Sequence, residues 1–201
     1  MNASIYIFIG QSGAGKGTQA ALLQKRLKEV DPDRSVLYLE TGRRFRELIQ
    51  QNTFTAKRTK QIMDEGKLPP SFLGVHAWTH FFIEEYDGEG NVVVDGTPRV
   101  ADEVPILLSA CTFYGLKTHV ILIEVSDEWA YEKTKSRAEK EHRADDQSER
   151  DIWGRIQWFH ESVVPTIELL RASPIVTFHS VAGEQAIEAV HRDICIALGV
   201  E

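Results

Sequence analysis

The sequence predicts an α/β fold built around a parallel β-sheet, and three observations favour this class. Short apolar runs alternate with amphipathic stretches of helical periodicity along the whole chain. The turns between them carry few hairpin signals, and the first is a glycine-rich turn that leads from a strand into a helix. Helical connections between successive strands make right-handed crossovers, which leave the strands parallel in one sheet.

The apolar runs predict five strands, at residues 4–9, 35–40, 91–94, 119–125 and 175–180. A first helix is expected over residues 16–30 and ends where Asp31-Pro32-Asp33 breaks it. Residues 41–86, between the second and third strands, are helical by pattern and longer than a single crossover needs. A later apolar stripe over residues 152–170 predicts another helix, which Pro165 should kink.

Length and composition limit the possible classes of protein. The chain has 201 residues, of which 42% are hydrophobic and 26% charged, so residues 1–201 are expected to form a single globular domain. This balance excludes disordered and coiled-coil proteins. The longest apolar runs are far shorter than the roughly 20 residues that a membrane-spanning helix needs. The N-terminus has no basic segment typical of a signal peptide, and we therefore expect a cytoplasmic location.

Charge and cysteine content restrict the partners. The net charge of −7 argues against nonspecific binding to nucleic acid or to an anionic membrane, so any phosphate ligand must be held by locally placed cations. Cys111 and Cys195 form no CxxC pair and lie in apolar helical patterns, which indicates free thiols in a reducing compartment. We expect a monomer with neither a nucleic-acid nor a membrane partner.

A glycine-rich loop carries the first functional signal. Gly10-Gln-Ser-Gly-Ala-Gly15-Lys16-Gly17-Thr18 follows a buried strand and opens a helix, which is the context that the Walker A pattern requires. Its backbone N–H groups and the helix N-terminus favour a bound anion, and Lys16 can reach the β- and γ-phosphates. Gly17 stands where the general pattern has Ser or Thr, and the hydroxyl comes one residue later, at Thr18. A glycine-rich turn without a ligand is the alternative, and the agreement of motif, strand and helix argues against it.

The segment from Gly10 to Gln19 resembles the nucleotide loop of adenylate kinases and UMP/CMP kinases, and further motifs follow in the family's order. Thr41-Gly-Arg-Arg-Phe-Arg46 is similar to the family's Thr-Gly-Asp-x-x-Arg, and Ile62-Met-Asp-Glu-Gly-Lys-Leu68 to its Met-x-x-Gly-x-Leu segment. Asp95-Gly-Thr-Pro-Arg99 resembles Asp-Gly-Phe-Pro-Arg. Arg137, Arg143-Ala-Asp-Asp146 and Arg155 resemble the lid and hinge arginines. Several motifs in order are more specific than one phosphate loop.

The resemblance implies a three-layer P-loop NTPase fold with sheet order 2-3-1-4-5. It implies a helical insert at residues 42–86 that binds the nucleoside monophosphate, and a short lid at residues 138–146. The implied reaction is transfer of the γ-phosphate of ATP to a nucleoside monophosphate, with AMP the leading acceptor and Mg²⁺ the cofactor. Such a reaction needs the two nucleotides held in line and the moving charge neutralised, and arginine forks suit phosphate oxygens.

Site residues are carried over position by position from the same resemblance. The groups expected to act on the transferred phosphate are Lys16, Arg99, Arg137, Arg143 and Arg155. ATP is expected on Gly13, Ala14, Gly15, Lys16, Gly17, Thr18, Lys133 and Gly183. The monophosphate is expected on Thr41, Gly42, Arg46, Leu68, Gly96, Arg99 and Glu103. Mg²⁺ is expected near Thr18 and Asp95 through its water shell. Asp145 and Asp146 either orient the lid arginines or cap the following helix.

Some positions depart from the family's pattern. Glu103 stands where adenylate kinases have Gln, and an ionised Glu only accepts hydrogen bonds, which suits guanine better than adenine. Thr41, by contrast, agrees with adenylate kinases, because UMP/CMP kinases tend to have Ala. Arg43 replaces an Asp, and we hypothesise that it pairs with Glu103. Lys133 replaces an Arg that stacks on the donor base. A kinase for GMP or for UMP/CMP, and a nucleotide-binding protein without turnover, therefore remain alternatives.

Overall fold

The structure, a computed structural model, describes residues 3–64, 69–141 and 148–201. Within these residues the strands form one parallel sheet in the order β2-β3-β1-β4-β5. The strands are β1 (Ser4–Ile9), β2 (Val36–Glu40), β3 (Asn91–Asp95), β4 (Lys117–Glu124) and β5 (Val176–Ala182). The predicted fold class and strand order are confirmed. β4 begins two residues earlier than predicted because its polar first residues, Lys117 and Thr118, pair with Ser4 and Ile5 of β1.

Helices cover both faces of the sheet. In the described part of the chain they are α1 (Lys16–Val30), α2 (Thr41–Ile49), α3 (Phe54–Asp64), α4 (Ser71–Glu84), α5 (Glu103–Phe113), α6 (Asp127–Glu141), α7 (Glu149–Trp158), α8 (Val164–Arg171) and α9 (Ile187–Leu198). None of the helices in residues 3–64, 69–141 and 148–201 has both the length and the apolar character needed to cross a bilayer.

The central strand β1 divides the core into two parts. All of its six residues are buried, and alternate side chains point to opposite faces of the sheet. Ile5, Ile7 and Ile9 pack with side chains of α4, α5 and α8 in one cluster. Tyr6 and Phe8 pack with side chains of α1 and α9 in the other. These two clusters make the three-layer arrangement and hold the carboxyl end of β1 rigidly in the middle of the sheet.

The helical segment between β2 and β3 consists of α2, α3 and α4, as the pattern predicted. Helix α4 contributes Trp78, Phe81 and Phe82 to the core cluster, so the segment is fixed to one face of the sheet. The assignment of residues 42–86 to monophosphate binding stays a prediction. Of the predicted lid, residues 138–141 complete α6, and residues 142–146 lie outside the described residues.

The predicted kink near Pro165 takes the form of a π-helical turn. Residues Phe159–Val163 form this turn between α7 and α8, and Pro165 lies in the first turn of α8. Proline has no N–H to donate within a helix, and its ring displaces the preceding turn. The π-helical turn, which such disruptions commonly accompany, therefore separates the two helices and sets the direction of the side chains between them.

Candidate active site

The glycine-rich loop joins β1 to α1 in the middle of the sheet. Gly13 has a φ of +82°, and a Cβ there would lie 2.7 Å from the carbonyl oxygen of Ala130 on α6. Gly15, with a φ of +88°, is the N-cap residue of α1. Only glycine fits the first of these positions, because the loop backbone runs directly against α6. The loop thus lies between the start of α1 and the body of α6.

The Lys16 ammonium folds back onto the loop. It donates hydrogen bonds to the carbonyl oxygens of Gly10 at 2.9 Å and Gln11 at 2.8 Å. The pKa of Lys16 is lowered to about 8, mainly by burial; Arg99, Arg155 and Arg137 add to the lowering and the Asp95 carboxylate opposes it. These groups act on one another because the fold brings them to the same place.

Asp95 lies at the centre of this cationic group. It ends β3 and is paired in register with Phe8 of β1 and Glu40 of β2. Its Oδ2 atom lies 3.4 Å from the position that a Cβ on Gly17 would occupy, next to Thr18 in the first turn of α1. Burial raises the pKa of Asp95 and outweighs the lowering by Lys16 and the neighbouring arginines. A hard oxygen donor therefore lies beside the loop.

Arg99 follows β3 through the turn at Gly96. Its Nε donates to the carbonyl oxygen of Gly96 at 2.9 Å, and Gly96 has a φ of +89°. The backbone N–H of Arg99 donates to Oε2 of Glu103 at 3.1 Å. Arg99 is thus oriented by its own turn and by the first residue of α5.

Glu103 is a buried carboxyl group. Its side chain is only 5% exposed, and its Oε1 lies 2.7 Å from the position that a Cβ on Gly74 of α4 would occupy. Burial raises the pKa of Glu103, and the hydrogen bond and charge of Arg99 offset this only in part.

The predicted pair of Arg43 with Glu103 is wrong. The Arg43 guanidinium lies 3.7 Å from the carboxylate of Glu47, one helical turn along α2, and both side chains are largely exposed. The intrahelical partner lies within reach of Arg43 on the solvent side, whereas Glu103 is enclosed.

Arg46 and Thr41 lie on the side of β2. The Arg46 guanidinium contacts Oε1 of Glu40 at 2.6 Å, and its side chain is 50% exposed. Gly42 packs against this guanidinium. The hydroxyl groups of Thr41 and Thr97 share a hydrogen bond of 2.8 Å in the buried interior. The pKa of Tyr38 on β2 is raised by burial and by the carboxylates of Asp95 and Glu40. Arg43 and Arg46 of α2 act against this rise, so the charges of α2 and Asp95 act on the same side chain.

The remaining predicted residues lie on α6, on α7 and after β5. Arg155 of α7 donates through Nε to the Ser12 hydroxyl in the loop at 3.1 Å. Lys133 places its ammonium over the Trp129 ring, 4.5 Å from the centroid. Gly183 donates its N–H to the carbonyl oxygen of Glu124 at 2.8 Å and packs closely on the end of β4. Ala14 is buried inside the loop.

The fold thus brings five residues together at the phosphate loop: Lys16, Asp95, Arg99, Arg137 and Arg155. The four cations among them are residues that the resemblance assigns to the transferred phosphate. Leu68 and Arg143, and also Asp145 and Asp146, lie outside the described residues. Helix α7 is capped by Ser148, so neither Asp145 nor Asp146 is its N-cap residue.

Sequence reasoning missed two partners of the site arginines. Ser12 receives the Arg155 hydrogen bond and Glu40 holds Arg46. A signal for Glu40 was available, because an acidic residue ends β2 at the same sheet edge as Asp95. The hydroxyl of Ser12 lies inside the loop motif, but its partner is 143 residues away and no local pattern connects the two.

A separate concavity lies at the amino ends of the strands. Its volume is about 810 Å³, and its lining includes Asp31, Asp33, Asp87 and Glu89 with Arg34. Four carboxylates against one guanidinium disfavour a polyphosphate there. The cationic cluster at the carboxyl ends of the strands is therefore the candidate site, in agreement with the usual location of ligand sites in open parallel sheets.

Comparisons with known proteins agree with this geometry. A family model described as an AAA domain matches residues 9–152. The chain is 30% identical over 194 residues to the adenylate kinase of Corynebacterium diphtheriae, covering 96% of this chain and 98% of that protein. It is 30% identical over 195 residues to the adenylate kinase of Corynebacterium aurimucosum, covering 96% and 98%. It is 29% identical over 188 residues to the adenylate kinase of Flavobacterium johnsoniae, covering 92% of each chain.

Proposed function

Because the chain belongs to the adenylate kinase family, we propose that it transfers the γ-phosphate of ATP reversibly to a nucleoside monophosphate and that AMP is its principal acceptor. The observation that carries this proposal is the grouping of Arg99, Arg137, Arg155 and the buried Asp95 carboxyl group around Lys16 at the phosphate loop. Phosphoryl transfer depends on positioning and charge neutralisation, and this arrangement of fixed cations supplies both.

On the donor side, ATP would lie along the loop. The backbone of residues 13–18 and the N-terminus of α1 would hold its phosphates, with Lys133 and Gly183 near its base. The Lys16 ammonium, which is held by the carbonyl oxygens of Gly10 and Gln11, would gain phosphate oxygens as stronger partners. A bound polyphosphate also favours the protonated form of Lys16, which burial disfavours in the free protein.

On the acceptor side, Arg46 and Arg99 would hold the α-phosphate of the monophosphate, with Thr41, Gly42, Gly96 and Leu68 completing the site. Arg46 would exchange its contact with Glu40 for the phosphate. Glu103 would face the base. A carboxyl group whose pKa is raised by burial is protonated over a wider pH range, and a protonated carboxyl offers one donor and one acceptor, as Gln does. In its protonated form Glu103 would pair with adenine as Gln does, whereas its ionised form would suit guanine.

Residues 42–86 would form the acceptor-binding insert, and residues 138–146 a short lid. Their closure would exclude water, which otherwise competes with the acceptor as the nucleophile. Cys111 and Cys195 are free and buried, which supports a reducing compartment such as the cytoplasm. We also propose that the enzyme acts as a monomer.

Mg²⁺ is the cofactor that this reaction implies, and the residues present fit it. The Asp95 carboxylate lies beside Gly17 and Thr18, and carboxylate and hydroxyl oxygens are the donors that Mg²⁺ prefers, with several of its waters retained. Thr18 and Asp95 would therefore hold the ion through its water shell. When bound, Mg²⁺ neutralises charge on the phosphates of ATP.

The alternatives have less support. A nucleotide-binding protein without turnover has no need of cations that surround a transferring phosphate, and this chain keeps Lys16, Arg99, Arg137 and Arg155 together. A GMP or pyrimidine acceptor would rest on departures such as Glu103 and Arg43, whereas Thr41 agrees with adenylate kinases and the matched relatives are adenylate kinases.

A coupled assay with ATP, Mg²⁺ and a panel of AMP, GMP, UMP and CMP tests the proposal. We expect ADP formation with AMP, at a kcat/KM at least about tenfold above that with GMP, since a well-matched base contact is worth about 1–3 kcal/mol. The matched variant is Glu103→Gln, which should retain AMP turnover because its amide offers adenine one donor and one acceptor. Preferred use of GMP by the wild type, or loss of AMP turnover in Glu103→Gln, would contradict the assignment of the base.

A further inference from the structure

The first turn of the phosphate loop is tied to α6 by a side chain. Gln11 is 5% exposed, and its Nε2 donates to Oδ1 of Asp127 at 2.8 Å and to the carbonyl oxygen of Val125 at 3.3 Å. The amide oxygen of Gln11 is buried without a hydrogen-bond partner in the described part of the chain. Because an ionised carboxylate only accepts hydrogen bonds, Asp127 fixes which end of the Gln11 amide faces α6.

Asp127 is held from its other side by His160. The Nε2 atom of His160 lies 2.9 Å and 3.1 Å from the two carboxylate oxygens of Asp127. Burial raises the pKa of Asp127, but the hydrogen bonds from His160 and Gln11 outweigh burial and keep the pKa below its ordinary value. The carboxylate is therefore ionised and the Nε2 of His160 carries the hydrogen. His160 reaches this position because it lies in the π-helical turn Phe159–Val163.

The same residue of the loop also holds Lys16. The backbone carbonyl oxygen of Gln11 accepts hydrogen bonds from Lys16 Nζ at 2.8 Å and from the N–H of Ala14 at 3.2 Å. The next residue, Ser12, is bound by Arg155 from α7 at 3.1 Å. The side chain of Gln11 thus anchors the peptide group on which Lys16 rests. Helix α7 contacts Ser12 directly, and its π-helical extension reaches Gln11 through Asp127.

We propose that Asp127 and His160 are positioning residues for the donor site: through Gln11 they fix the first turn of the phosphate loop and the carbonyl group that holds Lys16. Neither side chain is expected to touch the nucleotides. Their loss should weaken ATP binding and leave the acceptor site, at the carboxyl ends of β2 and β3, unchanged, because Arg46 and Arg99 have their own contacts with Glu40 and Gly96. This inference deepens the proposed function and rests on ATP being the donor.

The test compares Asp127→Ala, His160→Ala and His160→Gln in the full chain, with ATP affinity measured by titration calorimetry and with KM measured for ATP and AMP. Removing a charged hydrogen-bond partner should weaken ATP binding about tenfold in Asp127→Ala and about threefold in His160→Ala. His160→Gln should restore affinity to within about twofold, because a glutamine amide also donates to the carboxylate. The KM for AMP should stay within about twofold of the wild type in every variant.

The matched control lies in the same segment. Gln157 donates to Glu161 at 2.8 Å, is exposed and does not contribute to the contacts with the loop, so Gln157→Ala should leave ATP affinity unchanged. In a double-mutant cycle, His160→Ala should have no further effect once Asp127 is Ala, because both changes act through the same carboxylate. Should Asp127→Ala fail to fold, Asp127→Asn carries the test, since it keeps one acceptor and is expected to weaken binding about threefold.

Two results would overturn the proposal. One is wild-type ATP affinity in Asp127→Ala. The other is an equal loss of ATP and AMP affinity together with a lower unfolding temperature, which would indicate a general loss of stability.

The calorimetric measurement of ATP binding needs no acceptor nucleotide. ATP binding without AMP turnover in the wild type would therefore overturn the proposed function and leave the positioning network supported, provided that the variants weaken ATP binding as stated.

Discussion

Lys16 is a charged side chain held in surroundings that disfavour its charge. Its ammonium rests on two loop carbonyl oxygens, while burial lowers its pKa to about 8 against an ordinary 10.5. Between those two pH values the unfolded chain keeps a proton that the folded chain has released, so the free energy of unfolding rises with pH across this window. Below pH 8 the protein therefore bears the full cost of the charge. Retention of such a group indicates function rather than stability.

We predict that Lys16→Met makes the nucleotide-free protein more stable and inactive. At pH 7 the unfolding temperature should rise by about 2–4 °C, a gain of about 1 kcal/mol after the two lost hydrogen bonds are counted. The gain should shrink towards pH 10, where the wild type no longer carries the cost. Turnover should fall by on the order of 10²–10³ or more. Thermal melts at both pH values and the coupled assay measure these effects.

The control is Lys25→Met, which removes an exposed lysine from the same helix α1. It should change the unfolding temperature by less than about 1 °C and leave turnover unchanged. A Lys16→Met protein that melts below the wild type at pH 7 would contradict the account of the buried charge.

Helix α7 shows how a local motif supports a distant contact. Ser148 caps the helix in a reciprocal arrangement: its hydroxyl accepts from the N–H of Asp151, and the Asp151 carboxylate accepts from the N–H of Ser148, each at 3.2 Å. The cap satisfies backbone donors at the first turn of a short helix that carries Arg155 to the loop. We therefore expect the capping contribution to be visible in the stability of the whole protein.

Replacing Ser148 by Ala should lower the unfolding temperature by about 2–4 °C, the effect of losing a cap worth about 1 kcal/mol. Ser148→Thr should keep the wild-type value, because threonine caps a helix in the same way. Differential scanning calorimetry of both variants checks this. Equal melting of Ser148→Ala and the wild type would show that α7 is held by its packing alone.

The elements also show what sequence reasoning can reach. The strands, the loop and α1 were predicted because each depends on a local pattern of apolar and glycine residues. The π-helical turn before Pro165 was predicted only as a kink. The proline, which has no N–H, indicates that the helix is disturbed there, but not which backbone geometry results. The predicted pair of Arg43 with Glu103 was wrong because opposite charge alone does not show whether a side chain is accessible. Glu103 is buried, and Glu47 lies one helical turn from Arg43 on α2.

The site as a whole combines residues from distant parts of an acidic chain. The net charge is −7, yet cations from α6, from α7 and from the turn after β3 gather around Lys16 and Asp95. Family motifs located these cations, since each lies in a short segment with a fixed spacing. The contacts that orient them could not be located in this way. Gln11 and Asp127 are 116 residues apart, and Asp127 and His160 are 33 apart, so only the folded chain brings them together.

The most direct test of the central claim, that one cationic cleft holds two nucleotides for phosphate transfer, is ³¹P NMR of the wild-type protein with ATP, AMP and Mg²⁺. We expect each pair of ATP and AMP consumed to yield two ADP, with no inorganic phosphate released. Release of inorganic phosphate at a rate independent of AMP, or no change in the ATP and AMP signals, would contradict it.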